Sequence, residues 1–179
     1  MQTYQLIRHP QFAPAEVTGV GVRWAVLSDG RLMLRFRVDG AGALQVPAAK
    51  DRPARTDELW KSTCFELFLY DGGSRYREFN FSPSGDWAAY SFDGYRTGRC
   101  DFDPVSAPVV ACDQGRTVFT TTAFIAAEEL ARSESASLSA VLVERDARLS
   151  YWALTHNTEA PDFHDPACFR IALRAPAGA

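Results

Sequence analysis

Two neighbouring segments of alternating apolar and polar residues constrain the fold of this chain most strongly. Residues 63–70 and 75–82 flank an Asp-Gly-Gly-Ser turn at positions 71–74. A period of two places successive side chains on opposite faces of a β-strand, and a glycine-rich turn between two such segments is typical of a hairpin. We therefore predict an antiparallel pair of strands whose loop length decides which residues face each other.

The loop length of this hairpin sets its register, because a slip of one residue moves every side chain to the other face. A two-residue loop places Leu67 opposite Glu78, whereas a three-residue loop places Leu67 opposite Phe79 and keeps the apolar side chains together. We predict the three-residue loop. The other face of the hairpin then carries polar and aromatic side chains, with Glu66 and Asn80 among them.

A second hairpin is predicted at the dipeptide Asp29-Gly30, because both residues tolerate the positive φ angles of a two-residue turn. A two-residue turn places Trp24 opposite Arg35, on the face away from Leu34. This register makes one face of the hairpin apolar and leaves the other charged.

The rest of the chain continues the β pattern. Further strands are predicted at residues 87–92, 117–124, 138–144, 148–154 and 168–173, and one short helix at 126–132. Some nine or ten strands, with turn signals about every 8–12 residues, are typical of an antiparallel β-sandwich. A chain of 179 residues is the natural size of one domain, and we expect a single domain over residues 1–179.

Charge and hydropathy exclude several function classes. The net charge of −3 argues against nucleic-acid binding, which needs a basic excess. No apolar segment approaches the ~20 residues of a membrane span. The N-terminal sequence MQTYQLIRHP lacks the features of a secretory signal, so a cytoplasmic location is expected. The four cysteines form no CxxC motif, and we expect reduced thiols.

Metal and haem sites are not expected from the spacing of possible ligands. His156, His164 and Cys168 lack the compact ligand pairs of zinc modules. Asp101 and Asp103 offer oxygens to a calcium ion, and a solvated turn there is the alternative. Some β-sandwiches hold haem between an axial methionine and a histidine. Such a site is not expected here, because Met1 is the first residue and Met33 lies on the charged face of the Asp29-Gly30 hairpin. We predict no cofactor.

Aromatic side chains and charged or amide groups share the polar face of the hairpin at residues 63–82. Sugars are bound by this combination, in which rings stack on the apolar face of the sugar and a few fixed polar groups hold its hydroxyls. Exposed aromatic strips also serve protein contacts, so this pattern by itself leaves both possibilities open.

Four segments carry a resemblance to a known family. They are residues 59–69 (LWKSTCFELFL), 78–90 (EFNFSPSGDWAAY), 95–98 (YRTG), and 151–156 (YWALTH) followed by PDFH at 161–164. Together they resemble the bacterial DOMON-like proteins, which are related to the family 9 carbohydrate-binding modules. The resemblance spans residues 19–173. It implies an immunoglobulin-like or jelly-roll sandwich with a ligand site on one concave face.

The resemblance also implies four binding residues. The sugar-binding modules have a tryptophan six positions before a strand glutamate, which Trp60 and Glu66 match. Arg96 resembles a later arginine of these modules, and Trp152 a second tryptophan that closes over the sugar ring. An arginine close to a carboxylate favours the charged form, so Arg96 is expected to hold Glu66 ionised.

Two further residues complete the predicted site. Asn80 joins it because it shares a strand face with Glu66, and His164 because it lies in the PDFH segment. The first hypothesis is a non-catalytic module that binds a saccharide or a similar small polar ring. The alternatives are a hydrolase or isomerase that uses Glu66 and His164 as an acid and base, and a protein-interaction domain. The oligomeric state stays open.

Overall fold

The computed structural model describes residues 1–173. The last six residues of the predicted domain 1–179 lie outside the described residues. Twelve β-strands and five short 3₁₀ turns make up the secondary structure of the described part. The strands are β1 (Gln2–Arg8), β2 (Gly19–Val26), β3 (Arg31–Asp39), β4 (Cys64–Gly72), β5 (Arg75–Phe81), β6 (Trp87–Phe92), β7 (Cys100–Asp101), β8 (Val109–Gln114), β9 (Val118–Ala126), β10 (Ser135–Glu144), β11 (Arg148–Ala153) and β12 (Ile171–Ala172).

The predicted all-β, antiparallel class is confirmed, and the strand count is higher than expected. The sequence pattern missed β1, β7 and β8, which are polar or short. The short helix predicted at 126–132 is wrong: Ala127–Leu130 forms a single 3₁₀ turn directly after β9. Within residues 1–173, no helix reaches the length and apolar character that a membrane crossing requires.

The twelve strands form one curled sheet. Its order is β7-β6-β5-β4-β10-β11-β1-β2-β3-β9-β8, with β12 added beside β10, and all of these strand pairs are antiparallel. β1 joins the two halves because it pairs with β11 on one side and with β2 on the other. The curl brings the apolar faces of the two halves together, and the rings of Phe36 and Phe65 meet with centroids 4.9 Å apart.

The β4–β5 hairpin has the predicted register. Leu67 faces Phe79 and Glu66 faces Asn80. The predicted three-residue loop is wrong: β4 ends at Gly72 and β5 begins at Arg75, so two residues form the turn. A bulge between Tyr70 and Gly72 supplies the extra residue that keeps this register. The apolar side chains of both strands therefore point into the core, and the polar side chains point to the opposite face.

The register predicted for the β2–β3 hairpin is wrong by one residue. Trp24 faces Leu34 inside the core and is only 6% exposed. The loop has three residues rather than two: the N–H of Leu27 donates to the carbonyl of Arg31, and Gly30 adopts φ of +81°. Burying the indole together with the core leucine favours this register over the two-residue turn.

A buried ion-pair network supports β5 from the core side. The Arg77 guanidinium donates to Asp71 (2.7 Å), to the carboxylate of Glu129 and to the hydroxyl of Ser133 (3.0 Å). Arg77 and Glu129 are each 2% exposed. These contacts hold β5 in place, and its next residue, Glu78, is directed to the opposite face.

Candidate functional site

The alternation along β4 and β5 produces a cavity on the side of the sheet that faces away from the main core. Glu66 and Phe68 of β4 and Glu78 of β5 line it together with side chains of β10 and β11. Loops at residues 93–99 and 154–170 border it. The cavity has a volume of about 400 Å³, which lies within the roughly 300–1,000 Å³ of small-molecule sites.

Two buried carboxyl groups form the floor of this cavity. Glu66 is 3% exposed and Glu78 is 5% exposed. One oxygen of Glu66 accepts a hydrogen bond from the Ser139 hydroxyl (2.7 Å), and one oxygen of Glu78 accepts from the Asn80 amide (2.7 Å). Within residues 1–173, no hydrogen bond holds the second oxygen of either group. Each carboxyl is thus oriented by one oxygen and leaves the other for a ligand.

Burial raises the pKa of both carboxyl groups. The pKa of Glu66 rises to about 8 because of its burial and, next, the negative charge of Glu78. The pKa of Glu78 rises to about 7, also through burial. The expectation that Arg96 holds Glu66 ionised is wrong, because the Arg96 guanidinium pairs instead with Asp162 at 2.8 Å.

Asp162 ties the two loops at the cavity mouth together. Its carboxylate accepts hydrogen bonds from Arg96 (2.8 Å), from the Tyr95 hydroxyl (2.6 Å) and from the backbone N–H of His164 (3.1 Å). Burial acts to raise the pKa of Asp162, but the Tyr95 and Arg96 hydrogen bonds outweigh it and lower the pKa. Arg96 therefore has a structural partner at the mouth of the cavity.

His164 lies at the side of the floor. Its Nδ1 is 2.8 Å from the Tyr76 hydroxyl, which also accepts the backbone N–H of Arg96 at 3.1 Å. Burial lowers the pKa of His164 to about 4, so the imidazole is neutral at neutral pH. Its Nε2 lies 3.8 Å from Glu78. When the tyrosine hydroxyl donates to Nδ1, the imidazole carries its proton on Nε2, towards Glu78.

Aromatic rings form much of the wall. Trp60 lies on the 3₁₀ turn Leu59–Lys61, just before β4, and is half-buried. Its ring meets Tyr90 edge to face, with centroids 6.0 Å apart. The Arg99 guanidinium lies over the Tyr90 ring at 4.7 Å. Tyr151 of β11 and Phe163 complete the wall.

The structure places the six predicted residues in three different ways. Trp60, Glu66, Arg96 and His164 line the cavity. Asn80 is fully buried beneath it, where it orients Glu78 rather than facing a ligand. The sixth, Trp152, lies elsewhere.

Trp152 is in the main core. It faces Ala140 across the β10–β11 pair, is 4% exposed, and donates its indole N–H to Ser150 (3.0 Å). Neighbours on a strand point to opposite faces, so Tyr151 reaches the cavity and Trp152 does not. The expected closure of a second tryptophan over the ligand is therefore wrong, and Tyr151 occupies that side.

Several lining residues were not predicted as site residues, namely Phe68, Glu78, Phe92, Arg99, Tyr151 and Phe163. The alternation along the β4–β5 hairpin could have indicated Glu78, which shares a strand face with Glu66. Arg99 and Phe163 come from loops, where no sequence periodicity indicates direction.

The other candidate ligands of metals are occupied by local contacts. His156 lies 2.8 Å from the carbonyl of Ile7. Arg55 lies between Asp101 (3.5 Å) and Asp103 (3.3 Å). No group of three or more His, Cys, Asp or Glu in the described residues could hold a metal ion. The four cysteines are free, two buried and two exposed.

A second, smaller depression lies on the outer face of β1, β2 and β3. Its volume is about 300 Å³, and Arg23, Arg35 and Arg37 border it beside Gly21. Its lining contains no aromatic side chain. It differs from the first cavity in lacking both buried carboxyls and rings.

Comparison with known proteins adds one match at the level of fold. The structure is similar to the crystal structure of a "putative carbohydrate-binding protein" from Bacteroides uniformis. The TM-score is 0.67, with 94% of this chain and 84% of that chain covered, at 15% sequence identity. No protein-family model and no curated protein matches this sequence. The two chains share a fold.

Proposed function

We propose that this chain is a non-catalytic ligand-binding module, and that its cavity binds a saccharide or a similar small polar ring. The observation that carries this proposal is the combination of aromatic walls with two oriented carboxyl groups in one cavity. Rings stack on the C–H faces of sugars, and carboxyl oxygens bind their hydroxyls. The shared fold with the Bacteroides protein supports the same proposal.

The proposal includes a finer classification of the domain. The segments around Trp60, Glu66 and Arg96 resemble the DOMON-like proteins and the family 9 carbohydrate-binding modules. Packing of Phe36 against Phe65 across the curled sheet supports two packed layers, as in a β-sandwich. We therefore propose a DOMON-like sandwich with its ligand site on the face of β4 and β5.

Ligand titration of matched variants tests the proposed function. A panel of neutral and charged monosaccharides is titrated into the wild type, Trp60→Ala and Phe124→Ala, with thermal shift and calorimetry as readouts. Phe124 is the control because its half-exposed ring lies on β9, outside the cavity. A ligand at 100 times its Kd should add about 2.7 kcal/mol of stability.

We expect Trp60→Ala to weaken binding by about 1–3 kcal/mol, through the loss of buried aromatic area. Phe124→Ala should bind like the wild type. Binding that is equal in wild type and Trp60→Ala would contradict the site, and the absence of binding to the whole panel would contradict the function.

A second candidate function rests on the titratable groups of the cavity. Glu66 and Glu78 have raised pKa values and His164 a lowered one, and shifted groups that meet in a cleft are typical of acid–base catalysis. Glu78, rather than Glu66, is the carboxyl next to His164. The test is the release of reducing sugar from glycosides. Activity in the wild type that is lost in both Glu66→Gln and Glu78→Gln would favour a hydrolase. A binding module is expected to release no sugar.

A further inference from the structure

The buried acidic residues of this protein fall into two groups. Asp86 pairs with Lys50 (2.5 Å), Glu129 pairs with Arg77, and Glu144 accepts three backbone N–H groups. Such partners are what a buried carboxylate requires. Glu66 and Glu78 differ, because no Lys or Arg nitrogen within residues 1–173 lies within 4.0 Å of their oxygens.

The two arginines that line the cavity, Arg96 and Arg99, are engaged with other groups. Arg96 pairs with Asp162. Arg99 lies over the rings of Tyr90 and Trp60, at 4.7 and 5.8 Å. Positive charges on Arg96 and Arg99 act to lower the pKa of Glu78, but burial outweighs them.

The uncharged groups at the floor do not supply a cation either. His164, 3.8 Å from Glu78, is neutral at neutral pH, and Tyr76 is a neutral hydroxyl whose pKa is raised by burial. In the part of the chain that the structure describes, the two floor carboxyls therefore face the cavity without a close counter-charge: no Lys or Arg nitrogen lies within 4.0 Å, and the two arginines of the lining contact Asp162 and the Tyr90 and Trp60 rings. A ligand that brings a cation would supply it.

The walls also suit a cation. The faces of aromatic rings attract ammonium groups, and the attraction grows when the site is shielded from water. Five aromatic side chains line the cavity, namely Trp60, Phe68, Phe92, Tyr151 and Phe163. The two arginines of the same lining are held by Asp162 and by the Tyr90 and Trp60 rings. Rings around an acidic floor are a favourable environment for an ammonium group, whereas a ligand carboxylate at the floor would face two acidic groups.

We propose that the preferred ligand carries an ammonium group that binds between Glu66 and Glu78, so that the chemical class is an unacetylated amino sugar or a comparable cationic ring. The inference rests on the proposed function and adds the charge of the ligand. Ionised carboxylates bind the cation better than neutral acids do. Binding at neutral pH therefore transfers protons from the floor carboxyls to the buffer.

Four ring-matched sugars test this inference: glucosamine, glucose, N-acetylglucosamine and glucuronic acid. Each is titrated calorimetrically into the wild type at pH 7, in two buffers that differ in ionisation enthalpy. We expect glucosamine to bind about tenfold more tightly than glucose, and glucuronic acid to bind most weakly. The apparent binding enthalpy for glucosamine should be more exothermic in the buffer with the larger ionisation enthalpy, because the released protons bind to the buffer. This comparison needs no variant.

Glu66→Gln and Glu78→Gln provide the second arm. Glutamine keeps the shape of the protonated acid but cannot ionise, so each variant should lose the preference for glucosamine and much of the proton release. Glu128→Gln is the matched control because Glu128 is exposed and outside the cavity lining. Glu128→Gln should keep both the preference for glucosamine and the proton release.

The outcomes separate this inference from the proposed function. Tighter binding of glucose or glucuronic acid than of glucosamine would overturn the inference. Binding of glucosamine without proton release would overturn it as well. Both results would leave the proposed saccharide site intact. Failure of all four sugars to bind would count against both.

Discussion

The pH dependence of stability in Glu66→Gln tests the electrostatics of the cavity in detail. In the folded protein the pKa of Glu66 is raised from 4.5 to about 8 by burial and the charge of Glu78. Between these two values the folded state holds a proton that the unfolded chain releases. This carboxyl therefore contributes stability that is fully present below pH 4.5 and is lost as the pH rises towards 8.

The expected magnitude follows from the size of the shift. Each pKa unit corresponds to about 1.4 kcal/mol, so the effect of Glu66 between pH 4.5 and 8 is a few kcal/mol. Glutamine does not titrate. The stability of Glu66→Gln relative to the wild type should therefore rise with pH in this window, by at most the value for one proton, on the order of 1 kcal/mol per pH unit, because Glu66 and Glu78 titrate as a pair.

Urea unfolding of both proteins at pH 4.5, 5.5, 6.5, 7.5 and 8.5 measures this difference. His164 acts with the opposite sign, because its lowered pKa of about 4 removes stability as the pH falls below its usual 6.5. It is present in both proteins and cancels in the difference. The exposed Glu128→Gln control should stay within about 0.5 kcal/mol of the wild type throughout.

Two results would refute this reasoning about Glu66. A difference that does not change with pH would mean that Glu66 titrates alike in the folded and unfolded states. A variant that loses relative stability as the pH rises would mean that Arg96 does hold the carboxylate ionised.

Three further substitutions test the packing that supports the site, each by urea unfolding. Trp152→Ala should cost about 3–5 kcal/mol because the indole is in the core, whereas the half-buried Trp60 should cost less on truncation; equal losses would contradict their assigned places. Arg77→Met should cost about 3–5 kcal/mol by removing the closest cation from the buried Glu129, and a neutral effect would show that the network adds nothing. Gly40→Ala should destabilise clearly, since φ is +74° and a Cβ would lie 2.2 Å from a backbone oxygen; unchanged stability would exclude that conformation.

The fold was predictable where the apolar residues of two paired strands require the same register. In the β4–β5 hairpin, Leu67 and Phe79 need the same face, and the structure has the register that pairs them, with a bulge beside a two-residue turn. The β2–β3 turn was predicted from Asp29-Gly30 alone, which allows either a two-residue turn or a three-residue loop with Gly30 at positive φ. The burial of Trp24 beside Leu34 in the core favours the three-residue loop.

Strand alternation predicts only part of the candidate site, and the resemblance supplied the residues that lie outside strands, namely Trp60, Arg96 and His164. Glu66 was predicted from its strand face and Trp60 from the resemblance to the sugar-binding modules, and both line the cavity. The segment containing Tyr151 and Trp152 has two adjacent aromatic residues, and only the pairing of β11 with β10 shows which one faces outwards. The salt bridge of Arg96 with Asp162 joins two loops far apart in sequence, so no local pattern could indicate it.

Mapping a bound sugar by NMR tests the proposed site most directly. Backbone amide shifts are recorded while the tightest-binding monosaccharide of the panel is titrated into the wild type. We predict shifts concentrated on β4, β5 and β11, around Glu66, Glu78 and Tyr151, with saturation at one ligand per chain. Shifts centred on the arginine-bordered depression beside Gly21, or scattered without saturation, would contradict a saccharide site in this cavity.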